Sequence, residues 1–316
     1  MLGEITSDAV EARVLALRTL PFVRDLDDDD LELLAADGHL VHARAGATLW
    51  RGGEPLDRVF LLTAGAARIA SGPASAGTHL VEDRGTLGLL HLFAGLTEAP
   101  TVVIARDATL LEVPADAMMS AFYDSSSIAR STVRIAAASL IAQRGSLPNA
   151  PPVPEIGERV LEPPTLVQTL MNLRRAPLWA GASLDAMVEL GRHVEPLSYR
   201  PGEIVWRCGA PADFAARVAY GIVVCTNASG ESVRVGAGAI LGGLDALAAL
   251  PCSYTVEAET EATIFRIPAA AQLTVLEGNP RLAARIRTEL ARALLLGHAG
   301  GAGRAPDALP LSFDFR

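Results

Sequence analysis

The chain carries an internal repeat that relates its two halves. Between positions 17 and 65, 13 of the 49 residues are identical to the residue found 156 positions later, where chance gives about four identities. The identities include Gly46/Gly202, Trp50/Trp206, Gly53/Gly209, Asp57/Asp213 and Gly65/Gly221. A second register, with an offset of 154, pairs Gly88 with Gly242, Thr101 with Thr255 and Pro114 with Pro268. A repeat of this length predicts two copies of one domain.

The repeat and a proline-rich stretch divide the chain into four parts. We predict domain 1 at residues 1–143 and domain 2 at residues 165–298. Residues 144–164 contain the sequence GSLPNAPPVPEIGERVLEPP, which is typical of a semi-extended linker. Residues 299–316 are predicted to form a flexible C-terminal tail.

Both copies contain the same order of predicted elements. An amphipathic helical segment comes first, marked in copy one by Leu17, Leu20, Leu31 and Leu34. Short β-like runs follow, separated by Gly and Pro, and each copy closes with helices that begin at Pro114 or Pro268. This order predicts an α+β fold with two tandem antiparallel β-roll (jelly-roll-like) domains, each flanked by helices.

Composition excludes several function classes. The formal net charge of −9 argues against broad binding to a phosphate backbone. All 27 basic residues are arginine, so a P-loop lysine, a Schiff-base lysine and a kinase ATP lysine are excluded. The use of arginine in place of lysine throughout suggests a GC-rich bacterial genome. Three widely spaced cysteines, no evident signal peptide and no uninterrupted apolar tract predict a cytoplasmic protein without a membrane span.

Two stretches of the repeat carry a family resemblance. RAGATLWRGGEPLDRVFLLTAGAARI and RPGEIVWRCGAPADFAARVAYGIVVC resemble the opening strands of the cyclic nucleotide-binding domain. That domain occurs in catabolite-activator-type regulators and in kinase regulatory subunits. The resemblance covers about positions 14–143 and 165–298.

The resemblance implies a phosphate cassette in which a Gly-Glu pair opens a short helix and an Arg precedes a Thr-Val strand. We call residues 88–101 and 242–255 the cassette segments. In them Leu89 and Gly243 occupy the Glu position, and Glu98 and Cys252 occupy the Arg position. The vestigial cassette positions are therefore Gly88, Leu89, Glu98, Gly242, Gly243 and Cys252. We expect both sites to be inactive and no cofactor to bind, unless Arg84, Arg106 or Arg234 reaches in from outside.

Other candidate sites favour structural interpretations. The run Asp27–Asp30 lacks the EF-hand spacing and is typical of a helix N-terminus. His39 and His42 are poorly spaced for one metal ion, and Cys252 has no matched base, which favours a small core cysteine. No catalytic or metal-binding constellation is evident, so we predict that the protein is not an enzyme.

These observations predict a non-enzymatic bacterial regulatory or adaptor protein that acts through contacts with a protein partner. The alternative is a sensor of cyclic AMP, cyclic GMP or a cyclic dinucleotide that uses a divergent pocket. A third hypothesis is a ligandless member of an enzyme complex, analogous to a kinase regulatory subunit. Residues 299–316 are too few for a helix-turn-helix domain, so no DNA binding is expected.

Two C-terminal features predict association. Leu282, Ile286, Leu290 and Leu294 form an apolar stripe that either supports a homodimer or packs on the chain's own barrel. In the tail, Leu311, Phe313 and Phe315 alternate with polar residues, as in a strand. We therefore predict that the tail docks on a sheet edge of this chain or of a partner.

Overall fold

The computed structural model describes residues 2–4, 9–20, 23–70, 78–144, 147–148, 154–159, 164–174, 179 and 181–299. The chain divides into two compact units. Unit 1 consists of Met1–Ser139 and Ile286–Arg316, and unit 2 consists of Leu140–Arg285.

Unit 1 contains seven strands and four complete helices among its described residues. The strands are β1 (Leu2–Glu4), β2 (His39–Ala43), β3 (Thr48–Trp50), β4 (Arg58–Ala70), β5 (Thr78–Glu82), β6 (Gly85–Leu87) and β7 (Thr101–Pro114). The helices are α1 (Val10–Leu17), α2 (Asp28–Ala35), α3 (Leu89–Phe93) and α4 (Ala115–Asp124). Helix α5 (Ser126–Arg144) begins in this unit and ends in unit 2.

Unit 2 contains eight strands and four complete helices in its described part. The strands are β8 (Glu195–Tyr199), β9 (Ile204–Trp206), β10 (Phe214–Tyr220), β11 (Val223–Asn227), β12 (Ser232–Val235), β13 (Ile240–Leu241), β14 (Tyr254–Ala258) and β15 (Ala262–Pro268). The helices are α6 (Leu166–Arg174), α7 (Leu184–Arg192), α8 (Gly243–Ala248) and α9 (Ala269–Glu277). Helix α10 (Pro280–Ala299) begins in unit 2 and belongs to unit 1 from Ile286 onward.

The strands of unit 1 form one antiparallel sheet around an apolar core. Its order is β1-β2-β7-β4-β5, with β3 also paired to β7 and β6 to β4. Trp50 and Phe60 lie inside, with ring centroids 4.9 Å apart in an edge-to-face arrangement. Burial of such large apolar side chains is the main stabilising contribution in a sheet of this kind.

Unit 2 has two four-stranded antiparallel sheets. Their orders are β13-β10-β15-β8 and β12-β11-β14-β9. Trp206 and Phe214 also form an edge-to-face pair, with ring centroids 5.3 Å apart, although Phe214 occupies the repeat position of Arg58 and not that of Phe60. The prediction of an α+β fold with antiparallel sheets is confirmed.

The repeated pair Gly65/Gly221 lies at the same turn in both units. Gly65 has a φ of 102° and Gly221 a φ of 90°. A Cβ atom would lie 2.4 Å from the carbonyl oxygen of Asp107 at Gly65, and 2.3 Å from that of Glu261 at Gly221. Only glycine fits such a close approach with a positive φ. In unit 1 the strand continues through this point as β4, whereas in unit 2 it is divided into β10 and β11.

The predicted helix starts are present, with one difference. Pro114 and Pro268 were predicted as first helical residues, but they are the N-caps of α4 and α9, so each helix starts one residue later. The first amide of each helix donates to a backbone carbonyl. Ala115 N–H donates to the Asp57 carbonyl at 2.9 Å, and Ala269 N–H donates to the Asp213 carbonyl at 2.8 Å. A carbonyl outside the helix thus satisfies an amide that has no partner within it.

Residues 154–159 of the predicted linker have no regular secondary structure and are hydrogen-bonded within unit 2. Gly221 N–H donates to the Ile156 carbonyl at 2.8 Å, and Ala237 N–H donates to the Glu155 carbonyl at 2.6 Å. Arg159 forms an ion pair with Glu261. Residues 154–159 are therefore part of unit 2. Among the described residues, no helix is both long and apolar enough to cross a membrane.

Candidate functional site

The cassette segment of unit 1 is a short helix followed by a loop that leads into β7. Gly88 precedes α3 in a left-handed conformation, with a φ of 84°. At the predicted Glu position Leu89 is buried, and at the predicted Arg position Glu98 is exposed. Gly52 N–H donates to Thr101 Oγ1 at 2.8 Å, which fixes the end of the loop. The two vestigial ligand positions thus hold a core leucine and a surface carboxylate.

A cleft of about 510 Å³ opens beside this segment. The residues that line it include Gly52, Ala70, His91, Glu98, Ala99 and Thr101. Glu98 supplies a carboxylate, and the described lining contains no arginine. A negative charge at this position repels a phosphate group.

In unit 2 the amide at the start of the cassette segment is already bonded to a side chain. Gly242 has a φ of 66° and precedes α8, which starts at Gly243. Its N–H donates to the Tyr254 hydroxyl at 2.8 Å. Tyr254 is buried, and its carbonyl accepts from Trp206 Nε1 at 2.9 Å. Burial raises the pKa of the Tyr254 phenol, so the hydroxyl stays neutral.

Cys252, at the predicted Arg position of unit 2, is a buried thiol. Its Sγ lies 3.7 Å from the carbonyl oxygen of Pro211. Burial is the largest cause that raises the pKa of Cys252, to about 11. Its burial in the apolar core of unit 2 supports the prediction of a core cysteine.

Asp245 is a buried acid that the sequence analysis did not single out. Its carboxylate accepts from Ser253 Oγ at 2.8 Å and from Ser253 N at 3.4 Å. Burial raises the pKa of Asp245, and the hydrogen bonds from Ser253 lower it in part. The only sequence signal is an acid within the otherwise apolar run LGGLDALAAL. Asp245 and Tyr254 together fill the cassette segment of unit 2 with internal hydrogen bonds.

The three arginines considered as substitutes do not line the cleft of unit 1. Arg106 pairs with Asp83 at 3.0 Å on the surface. Arg234 pairs with Glu259 at 2.7 Å, and Arg84 is exposed. Their guanidinium groups are therefore not placed to replace the missing Arg in that cleft.

The cassette helix of unit 1 contacts the C-terminal helix. The Arg287 guanidinium lies 4.7 Å from the ring centroid of Phe93 and 5.0 Å from that of Phe122. Five residues on, Arg292 Nε donates to the carbonyl of Ala94 at 3.0 Å. Burial lowers the pKa of Arg287. The sequence showed an apolar stripe on this helix but gave no signal for the arginine between two rings.

The apolar stripe of α10 is covered within the chain. Its four members are buried: Leu282, Ile286, Leu290 and Leu294. These side chains already pack inside one chain and leave no exposed stripe for a partner copy. Packing on the chain's own barrel was the alternative to a homodimer, and from Ile286 onward the stripe belongs to unit 1. A homodimer through another surface stays a prediction.

The remaining candidates have structural roles or lie outside the described residues. Asp27 caps α2 by accepting from Asp30 N–H at 3.0 Å, as predicted for a helix N-terminus. The described part of the chain brings no three His, Cys, Asp or Glu side chains together that could hold a metal ion. The predicted docking residues Leu311, Phe313 and Phe315 lie outside the described residues.

The cassette segment of unit 2 lies within a stretch that matches a known family. Residues 196–279 match the family model of the cyclic nucleotide-binding domain. The matched range starts in β8 and ends just after α9, so it lies within unit 2.

Known proteins are similar to parts or to most of the chain. An uncharacterized NTE family protein of Mycobacterium bovis is 29% identical over 101 residues, which are 32% of this chain and 17% of that protein. The regulatory domain of Toxoplasma gondii PKA, co-crystallised with cAMP, is 16% identical to this chain, with a TM-score of 0.35. The alignment covers 90% of this chain and 99% of the Toxoplasma chain. A cyclic nucleotide-binding-like protein of Brucella abortus is 25% identical, with a TM-score of 0.31. That alignment covers 34% of this chain and 97% of the Brucella chain. The chain spans about a sixth of the length of the curated relatives it matches.

Proposed function

We propose that this chain is a non-enzymatic regulatory or adaptor protein that acts through contacts with a protein partner. In this proposal it carries two cyclic nucleotide-binding-type domains in tandem, and both cassettes are degenerate. The observation that carries the proposal is the hydrogen bond from Gly242 N–H to the Tyr254 hydroxyl. The resemblance implies that amides at this helix start hold the cyclic phosphate, and here a buried side chain takes that place.

The residues at the Arg positions support the same conclusion. Cys252 is neutral and buried, and Glu98 carries the wrong charge for a phosphate. Loss of one hydrogen bond to a charged group costs about 1.5–3 kcal/mol of binding free energy. A cyclic nucleotide bound at either segment would also lack the glutamate that, by the resemblance, holds the ribose hydroxyl.

The absence of catalysis is part of the proposal. Cys252, the nucleophile candidate of the cassette segment, has its pKa raised to about 11, chiefly by burial, and its Sγ contacts the carbonyl oxygen of Pro211. The match to an NTE family protein covers 17% of that protein and brings no activity to this chain.

Isothermal titration of the full chain with cyclic AMP and cyclic GMP tests the proposal. We expect no saturable heat at micromolar nucleotide. Glu98→Arg should raise the affinity of unit 1 for cyclic AMP relative to wild type, because it replaces repulsion by attraction. Glu189→Arg, a charge reversal at an exposed position of helix α7, is the matched control and should leave the affinity unchanged. Saturable micromolar binding by the wild-type chain would contradict inactive cassettes.

One observation favours the second candidate, a sensor with a divergent pocket. The cleft of about 510 Å³ in unit 1 is large enough for a small ligand whose phosphate does not face Glu98. Titration with cyclic di-GMP, followed by the same titration of Ala70→Trp, tests this candidate. Binding by wild type that the larger side chain abolishes would favour the sensor over the adaptor.

A further inference from the structure

Two of the three cysteines lie on neighbouring hydrogen-bonded segments of unit 2. Cys208 is in the turn after β9, and Cys252 lies two residues before β14. The N–H of Gly209 donates to the carbonyl of Cys252 at 2.8 Å. The Cα atoms of residues 208 and 252 are each two covalent bonds from the donor or acceptor atom of this hydrogen bond, so they are at most about 7.6 Å apart. Disulfide-bonded cysteines have Cα separations in this range.

Each thiol also reaches toward the segment that carries the other. Cys208 Sγ lies 3.5 Å from the carbonyl oxygen of Ser253, the residue after Cys252. Cys252 Sγ lies 3.7 Å from the carbonyl oxygen of Pro211, three residues after Cys208. The negative charge of the Cys208 thiolate is one of the causes that raise the pKa of Cys252, which agrees with their proximity. Both sulfur atoms therefore lie at the junction of the same two segments.

The two cysteines differ in access to solvent. Cys208 is exposed and Cys252 is buried, and both are free thiols. An oxidant in solution can therefore reach the first sulfur and not the second. This arrangement suits a peroxide-reactive cysteine beside a resolving cysteine.

We propose that Cys208 and Cys252 form a reversible disulfide when the protein meets a peroxide. The Cys208 thiolate attacks one peroxide oxygen, an S–O bond forms as the O–O bond breaks, and the released hydroxide takes a proton to become water. The Cys252 sulfur then attacks the sulfenic sulfur of Cys208. The S–S bond forms, the S–O bond breaks, and the leaving hydroxide takes the proton of the Cys252 thiol. Two thiols and one hydrogen peroxide give one disulfide and two waters.

The bond would connect the turn after β9 to the vestigial Arg position of the cassette segment. Oxidation would then hold the start of β14 against that turn, and a dithiol reductant would release it. This proposal does not depend on whether either cassette binds a nucleotide, because it uses only the thiols and the backbone between them.

The third cysteine is an internal control. Cys225 is fully buried in the core of unit 2, and burial raises the pKa of its thiol to about 12. It should remain reduced in the folded chain. Arginines at 207, 217, 234 and 266 place each cysteine in its own arginine-bounded peptide, namely residues 208–217, 218–234 and 235–266. A protease that cuts after arginine therefore separates the three thiols.

The test is peptide mass mapping of the folded full chain after treatment with hydrogen peroxide, with free thiols alkylated under denaturing conditions. We expect peptide 208–217 to be linked to peptide 235–266, peptide 218–234 to be alkylated, and dithiothreitol to reverse the link. Cys225→Ser, the matched control, should give the same link. Cys252→Ser should give no link and should accumulate a sulfenic acid at Cys208 that dimedone traps.

Three outcomes would overturn the proposal. One is a wild-type chain in which Cys208 proceeds to sulfinic acid with no linked peptide. Another is a link between two copies of peptide 208–217, which indicates a bond between chains. The third is a 208–252 link that forms only after denaturation. Because the wild-type map alone decides each of these, failure of a variant to fold leaves the test intact.

Discussion

The hydroxyl of Tyr254 accepts a hydrogen bond from the backbone N–H of Gly242, 2.8 Å away. This bond joins the residue before α8 to the first residue of β14. Without the hydroxyl, a buried amide would have no acceptor. We predict that Tyr254→Phe lowers the free energy of unfolding by about 1–3 kcal/mol.

Urea denaturation measures this difference. The control is Tyr220→Phe, whose hydroxyl has no hydrogen bond recorded among the described residues and whose loss should change stability by less than about 0.5 kcal/mol. Equal effects of the two variants would show that the hydrogen bond to Gly242 contributes nothing specific.

The buried carboxyl of Asp245 should make stability depend on pH. Burial raises its pKa in the folded chain, so folding favours the protonated form. Its favourable contribution is complete below the pKa of the unfolded chain, about 3.9, and is lost as the pH rises through the higher folded pKa. Asp245→Asn is neutral at every pH. We therefore expect the stability of Asp245→Asn relative to wild type to increase from about pH 4 to about pH 7.

Thermal unfolding across this pH range checks the prediction. The control is Asp213→Asn, which removes an exposed carboxyl of the same unit. A pH-independent difference for Asp245→Asn would mean that burial does not shift this group.

Two glycines with similar φ values should respond very differently to alanine. Gly221 has a φ of 90° and lies against the carbonyl of Glu261, whereas Gly202 has a φ of 85° and no atom within 4 Å of an added Cβ. Gly202→Ala should cost about 1–2 kcal/mol, the strain of the left-handed conformation alone. Gly221→Ala adds a clash with backbone, so we expect a loss of more than about 4 kcal/mol or failure to fold. Denaturant titration of the pair measures the difference, and similar losses would contradict the close approach.

Arg287 should stabilise unit 1 through the two rings that flank it. Arg287→Ala removes both cation–π contacts and leaves a cavity, so we predict a loss of about 2–4 kcal/mol in the free energy of unfolding. Arg281→Ala, on the exposed side of the same helix, should stay within about 0.5 kcal/mol of wild type. If urea titration shows Arg287→Ala to be as stable as Arg281→Ala, the contacts with Phe93 and Phe122 are energetically neutral.

Turn positions were predictable from the sequence because backbone strain restricts the residue type. At Gly65 and Gly221 a side chain has no room, so glycine appears in both copies and the repeat reveals it. The helix starts at Pro114 and Pro268 were predictable to within one residue for a similar reason, since proline fixes φ.

The hydrogen bonds of the cassette segment could not be predicted in the same way. Tyr254 reaches an amide twelve residues away, and the matching position in copy one is Pro100, so the repeat gives no signal. Asp245 meets Ser253 only because α8 and the segment after it place them together. The stripe on α10 showed that one face is buried, but any apolar surface of suitable shape satisfies such a stripe, so the unit that covers it was not determined.

The membership of α10 has a consequence for the order in which the chain can fold during synthesis. Unit 1 needs residues from Ile286 onward, and Arg287 covers Phe93 and Phe122. A ribosome synthesises the chain from the N-terminus at about 5–20 residues per second. All residues of unit 2 are therefore synthesised before those of unit 1 are complete. The aromatic pair stays uncovered for the time needed to make nearly the whole second half. The domain that is translated first is therefore the last to be completed.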